Sequence, residues 1–415
     1  MAGKNRRILI VIPYHFYPPK GGGALRCFYA VKELSKYYEV SVITSQNLNI
    51  SNWNETNIFK QIKFYVAEVN KINYGILSNI LPIRFLNFIF FKFYFSFKKT
   101  NVNSIFLNFY PALKFALAEV DPDVVIFENL ETLSYLSKIV RKHDSKIKII
   151  YEAHNVDHIL WRQLAAINNN NELLGYSKSA LEIESTLHKY TDCVITVTRQ
   201  DESILRFLNK AKSKILFSTI ECGVDVDEKK INLNINRVNQ IPKILFCGSL
   251  NYLPNIEGIR WFYENVLPIL RKSTCEFEVV IIGNCETLND FDYLKGDPNI
   301  KLIGRVEDVA PYYDDSLFSI VPLLSGSGIR LKITESMSFG CPVISTSLGA
   351  EGIAYDENNI IIADTAEQFA NSIILLLNDI ELREKLSKNG RQLVELKYDW
   401  KNLMKKFKEI INSIN

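Results

Sequence analysis

One short block of the sequence combines a glycine-rich loop, two cations and a carboxylate at helical spacing. From Ser325 it runs Ser-Gly-Ser-Gly-Ile-Arg-Leu-Lys-Ile-Thr-Glu. Arg330 and Lys332 fall in the first turn of the predicted helix, where the helix dipole disfavours cations unless an anion offsets them. A diphosphate would supply that anion, and the loop that includes Gly328 would let it approach the backbone. The block therefore predicts a phosphate-binding site.

Glu335 adds a second function to the same helix. It follows Lys332 by three residues and therefore lies on the same helical face, one turn deeper. A carboxylate at that depth can bind both ribose hydroxyls of a nucleotide. The structural alternative is a solvated helix in which Lys332 and Glu335 form an ion pair. That alternative explains neither the glycine loop nor the strand predicted to start at Pro342.

A second glycine cluster, Gly21-Gly22-Gly23, follows the first predicted strand. It does not match the dinucleotide fingerprint Gly-x-Gly-x-x-Gly, and the loop 13–21 is longer than that motif's tight turn. A nicotinamide dehydrogenase is therefore disfavoured. Glycines here allow close approach of backbone amides to an anion near a helix start, while an ordinary flexible loop is the alternative.

The elements that must position these residues alternate between strand and helix. Residues 8–12 are a continuous apolar run typical of a strand buried in a parallel sheet, followed by a predicted helix at 24–37 and a strand at 39–44. Further predicted strands are at 123–127, 147–151 and 193–197, with helices at 133–141 and 173–190. This alternation predicts an α/β doubly wound sheet.

A polar stretch at 218–239 separates this series from a second one. The second series has predicted strands at 243–247, 279–282, 301–303, 318–321 and 342–344, and helices at 256–270, 309–313 and 331–339. A chain of 415 residues suits two domains of this kind. We predict an N-terminal Rossmann-like domain at 1–222, a C-terminal one at 223–395 and a final amphipathic helix at 396–415.

Composition excludes several other classes. A formal net charge of +3 argues against a nucleic-acid binder. None of the seven cysteines forms a Cys-x-x-Cys pair and no histidine cluster lies beside them, so we expect reduced thiols, no metal site and a cytoplasmic protein. The N-terminal apolar run is too short for a secretion signal, and no apolar run reaches the length of a membrane span.

Residues 76–99 depart from the pattern, being dense in Phe and interspersed with Arg and Lys. Aromatic rings together with cations suit a membrane surface, where they meet the headgroups and anionic lipid. A buried helix pair in the N-terminal domain is the alternative. The segment therefore allows two interpretations, and one of them is peripheral attachment to the inner face of the membrane.

Taken together, these motifs resemble the donor-binding signature of retaining GT-B glycosyltransferases, in particular glycosyltransferase family 4, also described as glycosyl transferases group 1. Other segments with counterparts in that family are 246–258, 221–225 (Glu-Cys-Gly-Val-Asp), 151–157 (Tyr-Glu-Ala-His-Asn-Val-Asp) and 304–306. The resemblance covers nearly the whole chain and is most specific in the C-terminal half. It implies a GT-B fold with two Rossmann-like domains facing each other across a cleft, and a last helix that returns to the N-terminal domain.

The resemblance also implies roles for individual residues. Glu335 would bind the donor ribose, the glycines Gly22, Gly23 and Gly248 would approach the diphosphate, and Val306 would lie beside the base. Gly328, Arg330 and Lys332 would complete the nucleotide site, and the two cations would stabilise the charge that develops on the leaving diphosphate.

Three departures from the family pattern affect the sugar and acceptor sides. Ser327 stands where a first glutamate is usual, eight residues before Glu335, and the stretch 249–257 lacks the usual cations. Glu128 stands where many relatives have a histidine at the end of a strand. Either Glu128 or His154 is therefore a candidate catalytic residue on the acceptor side, with packing or loop hydrogen bonding as the alternative role.

The expected reaction moves a hexosyl group from a UDP- or GDP-sugar to a hydroxyl of a lipid-linked or saccharide acceptor, with retention at the anomeric carbon. The nucleotide sugar is a co-substrate. No other cofactor is expected, and protein cations replace a metal because the sequence lacks an acidic Asp-x-Asp cluster. Cell-surface polysaccharide or glycolipid assembly is the expected setting. The alternatives are a sugar-nucleotide epimerase and a non-catalytic GT-B subunit that binds a nucleotide sugar or a partner.

Overall fold

The computed structural model contains two compact units. It describes residues 6–19, 22–45, 59, 61–67, 102–167, 170–210, 214–227, 241–273, 275–285, 289–325 and 331–414, without the side chains of 102–108 and 167. The N-terminal unit comprises Met1–Thr196, Gln200–Thr219 and Lys408–Asn415, and the C-terminal unit comprises Val197–Arg199 and Ile220–Phe407. The predicted boundaries at 222/223 and 395/396 stay predictions.

The N-terminal unit is built on a seven-stranded parallel sheet in the order β3-β2-β1-β4-β5-β6-β7. Its strands are β1 (Arg7–Ile12), β2 (Glu39–Thr44), β3 (Lys63–Val66), β4 (Val124–Phe127), β5 (Lys148–Ala153), β6 (Cys193–Thr196) and β7 (Leu216–Thr219). Its helices are α1 (Gly22–Leu34), α2 (Val102–Val120), α3 (Leu130–His143), α4 (Asp157–Ile167), α5 (Asn171–Glu184), a 3₁₀ turn (Leu187–Lys189) and α6 (Arg199–Leu208).

The apolar runs of the sequence form the centre of this sheet. Ile8 to Ile12 are inaccessible to solvent, as expected for a strand covered by helices on both faces. Beside β4, helix α3 begins at Asn129, whose side-chain oxygen accepts hydrogen bonds from the amides of Glu131 and Thr132. This N-cap fixes the turn that immediately follows Glu128.

The C-terminal unit is built on a six-stranded parallel sheet in the order β10-β9-β8-β11-β12-β13. Its strands are β8 (Lys243–Cys247), β9 (Glu278–Ile282), β10 (Ile300–Gly304), β11 (Phe318–Val321), β12 (Val343–Ser345) and β13 (Ile361–Ile362). Its helices are α7 (Leu253–Trp261), a π segment (Phe262–Val266), α8 (Leu267–Leu270), a 3₁₀ turn (Asn289–Leu294), α9 (Ala310–Asp314), α10 (Leu331–Ser338), α11 (Ala366–Asn378) and α12 (Ile380–Lys397), followed by α13 (Trp400–Ser413).

The end of α13 belongs to the N-terminal unit. There the hydroxyl of Tyr38 donates to the carbonyl of Lys408, and its contact with the Asn412 side chain is 3.0 Å. The apolar face of α13 is fully buried. Among the helices in the described part of the chain, none is both long enough and apolar enough to cross a membrane. Residues 76–99 lie outside the described residues.

The two predicted doubly wound sheets are confirmed, with local corrections. Helix α1 begins at Gly22, so Gly22 and Gly23 form its first turn instead of a loop. Strand β5 continues to Ala153, two residues beyond the predicted end at Tyr151. The predicted helix 173–190 already ends at Glu184, and the 3₁₀ turn follows it. The helices α2, α4, α6, α11 and α12 and the strands β3, β7 and β13 were not predicted.

Candidate functional site

In the C-terminal unit, β8 lies between β9 and β11 at the point where the strand order reverses. The crevice outside the carboxyl ends of strands at such a point is the usual ligand site of an open α/β sheet. Gly248 directly follows β8, Gly283 directly follows β9, and α10 begins after the loop that leaves β11. Gly248, Lys332 and Glu335 therefore lie at one sheet edge.

The main chain at this edge leaves no space for side chains. A Cβ added to Gly283 would lie 1.7 Å from the carbonyl oxygen of Gly248. Non-bonded atoms cannot come so close, so the backbone would have to move. A Cβ at Gly248 would lie 2.8 Å from Nζ of Lys332 and 3.0 Å from Nδ2 of Asn255. Glycine at 248 thus lets the Lys332 ammonium sit against the backbone.

Lys332 is held in that position by two neighbours. Its ammonium donates to Oδ1 of Asn255 at 2.5 Å and lies 4.7 Å from the ring centroid of Phe246. Asn255 is buried in the first turn of α7, and its amide donates to the carbonyl of Ser249 at 2.6 Å. Because the carboxamide is fixed by a second hydrogen bond, it orients the ammonium toward the carboxyl end of β8.

Glu335 lies one turn further along α10 on the same side. The hydroxyl of Tyr313 donates to its Oε2 at 3.3 Å, and Sγ of Cys247 approaches the same oxygen at 3.9 Å. Tyr313 is buried and stacks on Phe339, in a cluster that Val306 also contacts. The structure therefore brings Glu335 and Val306 together around Tyr313, beside the cation site.

In the N-terminal unit, β1 lies at the corresponding reversal, between β2 and β4. Glu128 follows β4, and its amide donates to the carbonyl of Val11 at 3.2 Å, which extends the pairing of β4 with β1. Phe127 pairs with Tyr151, so Glu128 comes next to Glu152 in the register of β4 and β5. Side chains two residues apart on a strand share a face, which places His154 on the side of Glu152.

Two carboxyl groups and one guanidinium are buried at this edge. Arg26 on α1 donates from Nε and Nη2 to Oε1 of Glu152, at 2.9 and 2.6 Å. Oε1 of Glu128 and Oε2 of Glu152 are buried and receive no hydrogen bond from a donor in the described residues. Burial raises the pKa of Glu128, and burial raises the pKa of Glu152 to about 8 against the opposing effect of Arg26. Burial therefore disfavours the ionisation of both carboxyl groups at once.

His154 connects this pair to the surface. Its Nε2 lies 2.9 Å from Oε2 of Glu128 and 3.4 Å from the hydroxyl of Tyr14, while Sγ of Cys27 donates to the same Glu128 oxygen at 3.4 Å. Burial lowers the pKa of His154 to about 4, so its ring is neutral at neutral pH. A neutral imidazole beside a carboxyl group can take up or pass on the proton of a hydroxyl.

The first turn of α1 lies against this histidine. A Cβ on Gly23 would be 3.6 Å from Nδ1 of His154 and 3.8 Å from the Tyr14 hydroxyl. Gly22 precedes it in the same turn. Gly23 thus lies beside His154, and the approach of the two glycines to a diphosphate stays a prediction.

Some predicted residues fall outside the described residues, and others were missed. Gly21, Ser327, Gly328 and Arg330 lie outside them. The residues that complete the two clusters but were not singled out are Tyr14, Arg26, Cys27, Glu152, Asn255 and Tyr313. The strand register would have revealed Glu152, had β5 been extended to the residue paired with Glu128.

Comparison with known proteins concerns the C-terminal unit and the fold. The family model described as Glycosyl transferases group 1 matches residues 241–379, within the C-terminal unit. The chain is similar to that family over this part, and its two parallel sheets are those of the GT-B fold, as the sequence predicts. The assignment to family 4 and the retaining stereochemistry stay predictions.

Two relatives connect the chain with capsule regions. An uncharacterised 44.6 kDa protein in the cps region of Klebsiella pneumoniae is 22% identical over 97% of this chain and 99% of its own length. The capsular polysaccharide biosynthesis glycosyltransferase CapM of Staphylococcus aureus is 28% identical over 40% of this chain and 45% of its own length.

Solved structures share the fold at low identity. Sucrose-phosphate synthase from Thermosynechococcus elongatus aligns with a TM-score of 0.69 and 17% identity, over 99% of both chains. The Anabaena protein HepE, solved in complex with UDP and glucose, aligns with a TM-score of 0.63 and 13% identity, over 98% of this chain and 100% of its own. At such identities the likeness is evidence for the fold alone.

Proposed function

We propose that the protein transfers a hexosyl group from a nucleoside-diphosphate sugar, of the UDP or GDP type, to an acceptor hydroxyl with retention at the anomeric carbon. The nucleotide would bind at the carboxyl end of β8 in the C-terminal unit. The protein would act at the cytoplasmic face of the membrane in the assembly of a cell-surface polysaccharide or glycolipid.

The observation that carries this proposal is the position of Lys332. Its ammonium is fixed by Asn255 against a glycine backbone, at the reversal of strand order where parallel sheets bind phosphates. A compact, oriented cation beside exposed main chain suits a diphosphate, and Glu335 one turn deeper has a carboxylate for the ribose hydroxyls. HepE, which has the same fold, was solved with UDP and glucose.

The chemistry requires charge stabilisation at the leaving group. The bond between the anomeric carbon and the diphosphate oxygen breaks, its electron pair stays on the diphosphate, and the acceptor oxygen forms the new bond on the same face. Lys332, with Arg330 two residues before it in the sequence, would stabilise the diphosphate charge, so that no divalent metal is needed for catalysis.

The acceptor side of the reaction is assigned to the N-terminal unit. His154 is neutral and lies 2.9 Å from the Glu128 carboxyl group, so the pair can accept the proton that the acceptor hydroxyl loses. A Cβ at Gly23 would make ordinary van der Waals contact with the imidazole, so glycine at this position leaves the ring uncovered on that side. Glu128 and His154 are therefore the proposed catalytic residues of this unit.

The names of two relatives and the composition of one segment are the reasons for proposing a lipid-linked acceptor. The two relatives above carry capsule-related names, and residues 76–99 have the composition of a membrane-surface segment. Binding of the purified protein to anionic liposomes tests the second point. Phe91→Ser with Phe95→Ser should abolish co-sedimentation, and unchanged co-sedimentation would remove the membrane contact from the proposal.

The donor site is tested by equilibrium binding of nucleotide sugars to variants. Lys332→Ala and Glu335→Ala should each weaken binding about 10- to 100-fold, the effect of losing a hydrogen bond to a charged group, without loss of the folded state. Lys272→Ala, an exposed lysine of the same unit, is the matched control. Unchanged affinity in both site variants would refute the donor site.

The stereochemistry has its own test. The first sugar anomer formed from a bound donor, followed by proton NMR before mutarotation, should keep the configuration of the donor. Formation of the opposite anomer would show an inverting enzyme and leave the nucleotide site intact.

A further inference from the structure

The N-terminal unit brings together three side chains of the kinds that bind zinc. Cys27 on α1, Glu128 after β4 and His154 after β5 each direct one donor atom to a common point, and these atoms all lie within 4.8 Å of one another. They are far apart in the sequence, which is why the spacing of cysteines and histidines gave no sign of them. Zinc proteins combine these same three ligand types.

The separations of the donor atoms approach those of a tetrahedral site. Zinc–ligand bonds of about 2.0 to 2.3 Å place tetrahedral ligands about 3.3 to 3.8 Å apart. Sγ of Cys27 lies 3.4 Å from Oε2 of Glu128, and that oxygen lies 2.9 Å from Nε2 of His154. The edge between Glu128 and His154 therefore needs to lengthen by a few tenths of an ångström, and the edge between Cys27 and His154 is no longer than 4.8 Å.

A fourth position and an entry path are also present. The Tyr14 hydroxyl lies 3.2 Å from Sγ of Cys27 and 3.4 Å from Nε2 of His154. Its oxygen is therefore the group nearest to a fourth position. The His154 side chain is 16% exposed, whereas that of Glu128 is inaccessible, so a cation would enter past the imidazole.

Charge balance permits a divalent cation at this point. The cluster contains two buried carboxyl groups, Glu128 and Glu152, and Arg26 pairs with the second of them. A divalent ion bound by the Cys27 thiolate and the Glu128 carboxylate, beside the ion pair of Arg26 and Glu152, leaves the whole group at zero net charge. Burial penalises uncompensated charge, and this arrangement adds none.

From this geometry we infer that Cys27, Glu128 and His154 form a binding site for a thiophilic divalent cation such as Zn²⁺. Binding forms one bond from the metal to each ligand and releases the thiol proton of Cys27 to solvent. The site is inhibitory, because the metal occupies the two groups assigned to the acceptor hydroxyl. This last consequence rests on the proposed function, whereas the binding itself does not.

Cobalt titration of the full-length, metal-free protein tests the site directly. One equivalent of Co²⁺ should give a thiolate-to-cobalt charge-transfer band with the visible absorption of tetrahedral cobalt, and Zn²⁺ should abolish both. Cys27→Ser should remove the charge-transfer band and lower affinity by more than about 100-fold, beyond the loss typical of an outer-shell partner. Cys275→Ser, a cysteine of the other unit, should bind as the natural protein does.

The outcomes separate this site from the proposed function. If Cys27→Ser does not fold, His154→Gln, which keeps the thiol, should retain the charge-transfer band with weakened affinity. Absence of the band in the natural protein, or equal affinity in the natural protein and the ligand variants, overturns the inference. Cobalt binding in a protein without transferase activity would uphold the metal site and refute the function, and transfer that is insensitive to bound Zn²⁺ would refute the inhibition.

Discussion

The two sheets have their candidate sites at equivalent places, at the reversal of strand order, but different parts of the chain form the two sites. In the C-terminal unit, main chain and glycines form the surface, with Lys332 and Glu335 added from one short helix. In the N-terminal unit, side chains from α1, β4 and β5 form a buried polar network. A surface of backbone amides suits an anion such as a phosphate, whereas a buried network of side chains suits the transfer of a proton.

The largest effect should come from the backbone surface. Gly283→Ala would place its Cβ 1.7 Å from the carbonyl oxygen of Gly248, so β8 and β9 would have to separate. We expect a loss of more than about 4 kcal/mol in the free energy of unfolding of the C-terminal unit, the size typical of a backbone conflict. Denaturant unfolding measures it, with Gly296→Ala as a control in open space but also at positive φ. Equal, small losses of unfolding free energy in the two variants would contradict the close approach of Gly283 to Gly248.

In the N-terminal unit the sensitive element is the ion pair. Arg26→Met keeps much of the side-chain volume but leaves Glu152 buried without its partner. Removal of one member of a buried pair costs about 3 to 5 kcal/mol, and the double variant Arg26→Met with Glu152→Leu should recover part of that loss. Chemical denaturation of the three proteins provides the comparison. A double variant no more stable than the single one would show that the pair does not act as a unit.

The difference between a site formed by main chain and one formed by side chains also explains what the sequence could predict. Continuous apolar runs such as Ile8 to Ile12 give buried parallel strands, and the glycine and cation spacing around Lys332 gives the nucleotide-type site, because both are local patterns. Glu152 and Arg26 meet only through the register of β4 with β5 and the packing of α1. Such contacts depend on tertiary structure, so no local pattern announces them. Asn255 was missed for the same reason.

Two glycine variants compare the clusters without altering a charged group. Gly248→Ala would place a Cβ 2.8 Å from the Lys332 ammonium, which can move away because it ends a flexible side chain. We expect about 10-fold weaker nucleotide binding, equal to roughly 1.4 kcal/mol, with little loss of stability. Gly23→Ala has ordinary contacts of 3.6 to 3.8 Å, so it should weaken nucleotide binding less, even where Gly23 approaches the diphosphate as the sequence predicts. Calorimetric titration distinguishes them, and equal affinities would contradict the assignment of the donor to the C-terminal unit.

The smallest effect concerns pH. Burial, then Glu184 and Glu131, raises the pKa of Asp157 to about 7. Between about pH 4 and 7 the folded protein therefore binds a proton that the unfolded chain has lost, so this group's stabilising contribution decreases as pH rises. Asp157→Asn lacks that contribution, and its thermal midpoint should decrease less steeply than that of the natural protein over this range. Parallel profiles would contradict the raised pKa.

The central claim is that the carboxyl end of β8 binds the nucleotide of a sugar donor, and thermal unfolding with UDP-, GDP-, ADP- and dTDP-sugars tests it most directly. A ligand at 100 times its Kd stabilises the folded state by about 2.7 kcal/mol, so one nucleotide class should raise the unfolding midpoint by several degrees and Lys332→Ala should lose that increase. No increase with any of the four at millimolar concentration would contradict the claim and indicate a GT-B subunit without donor binding.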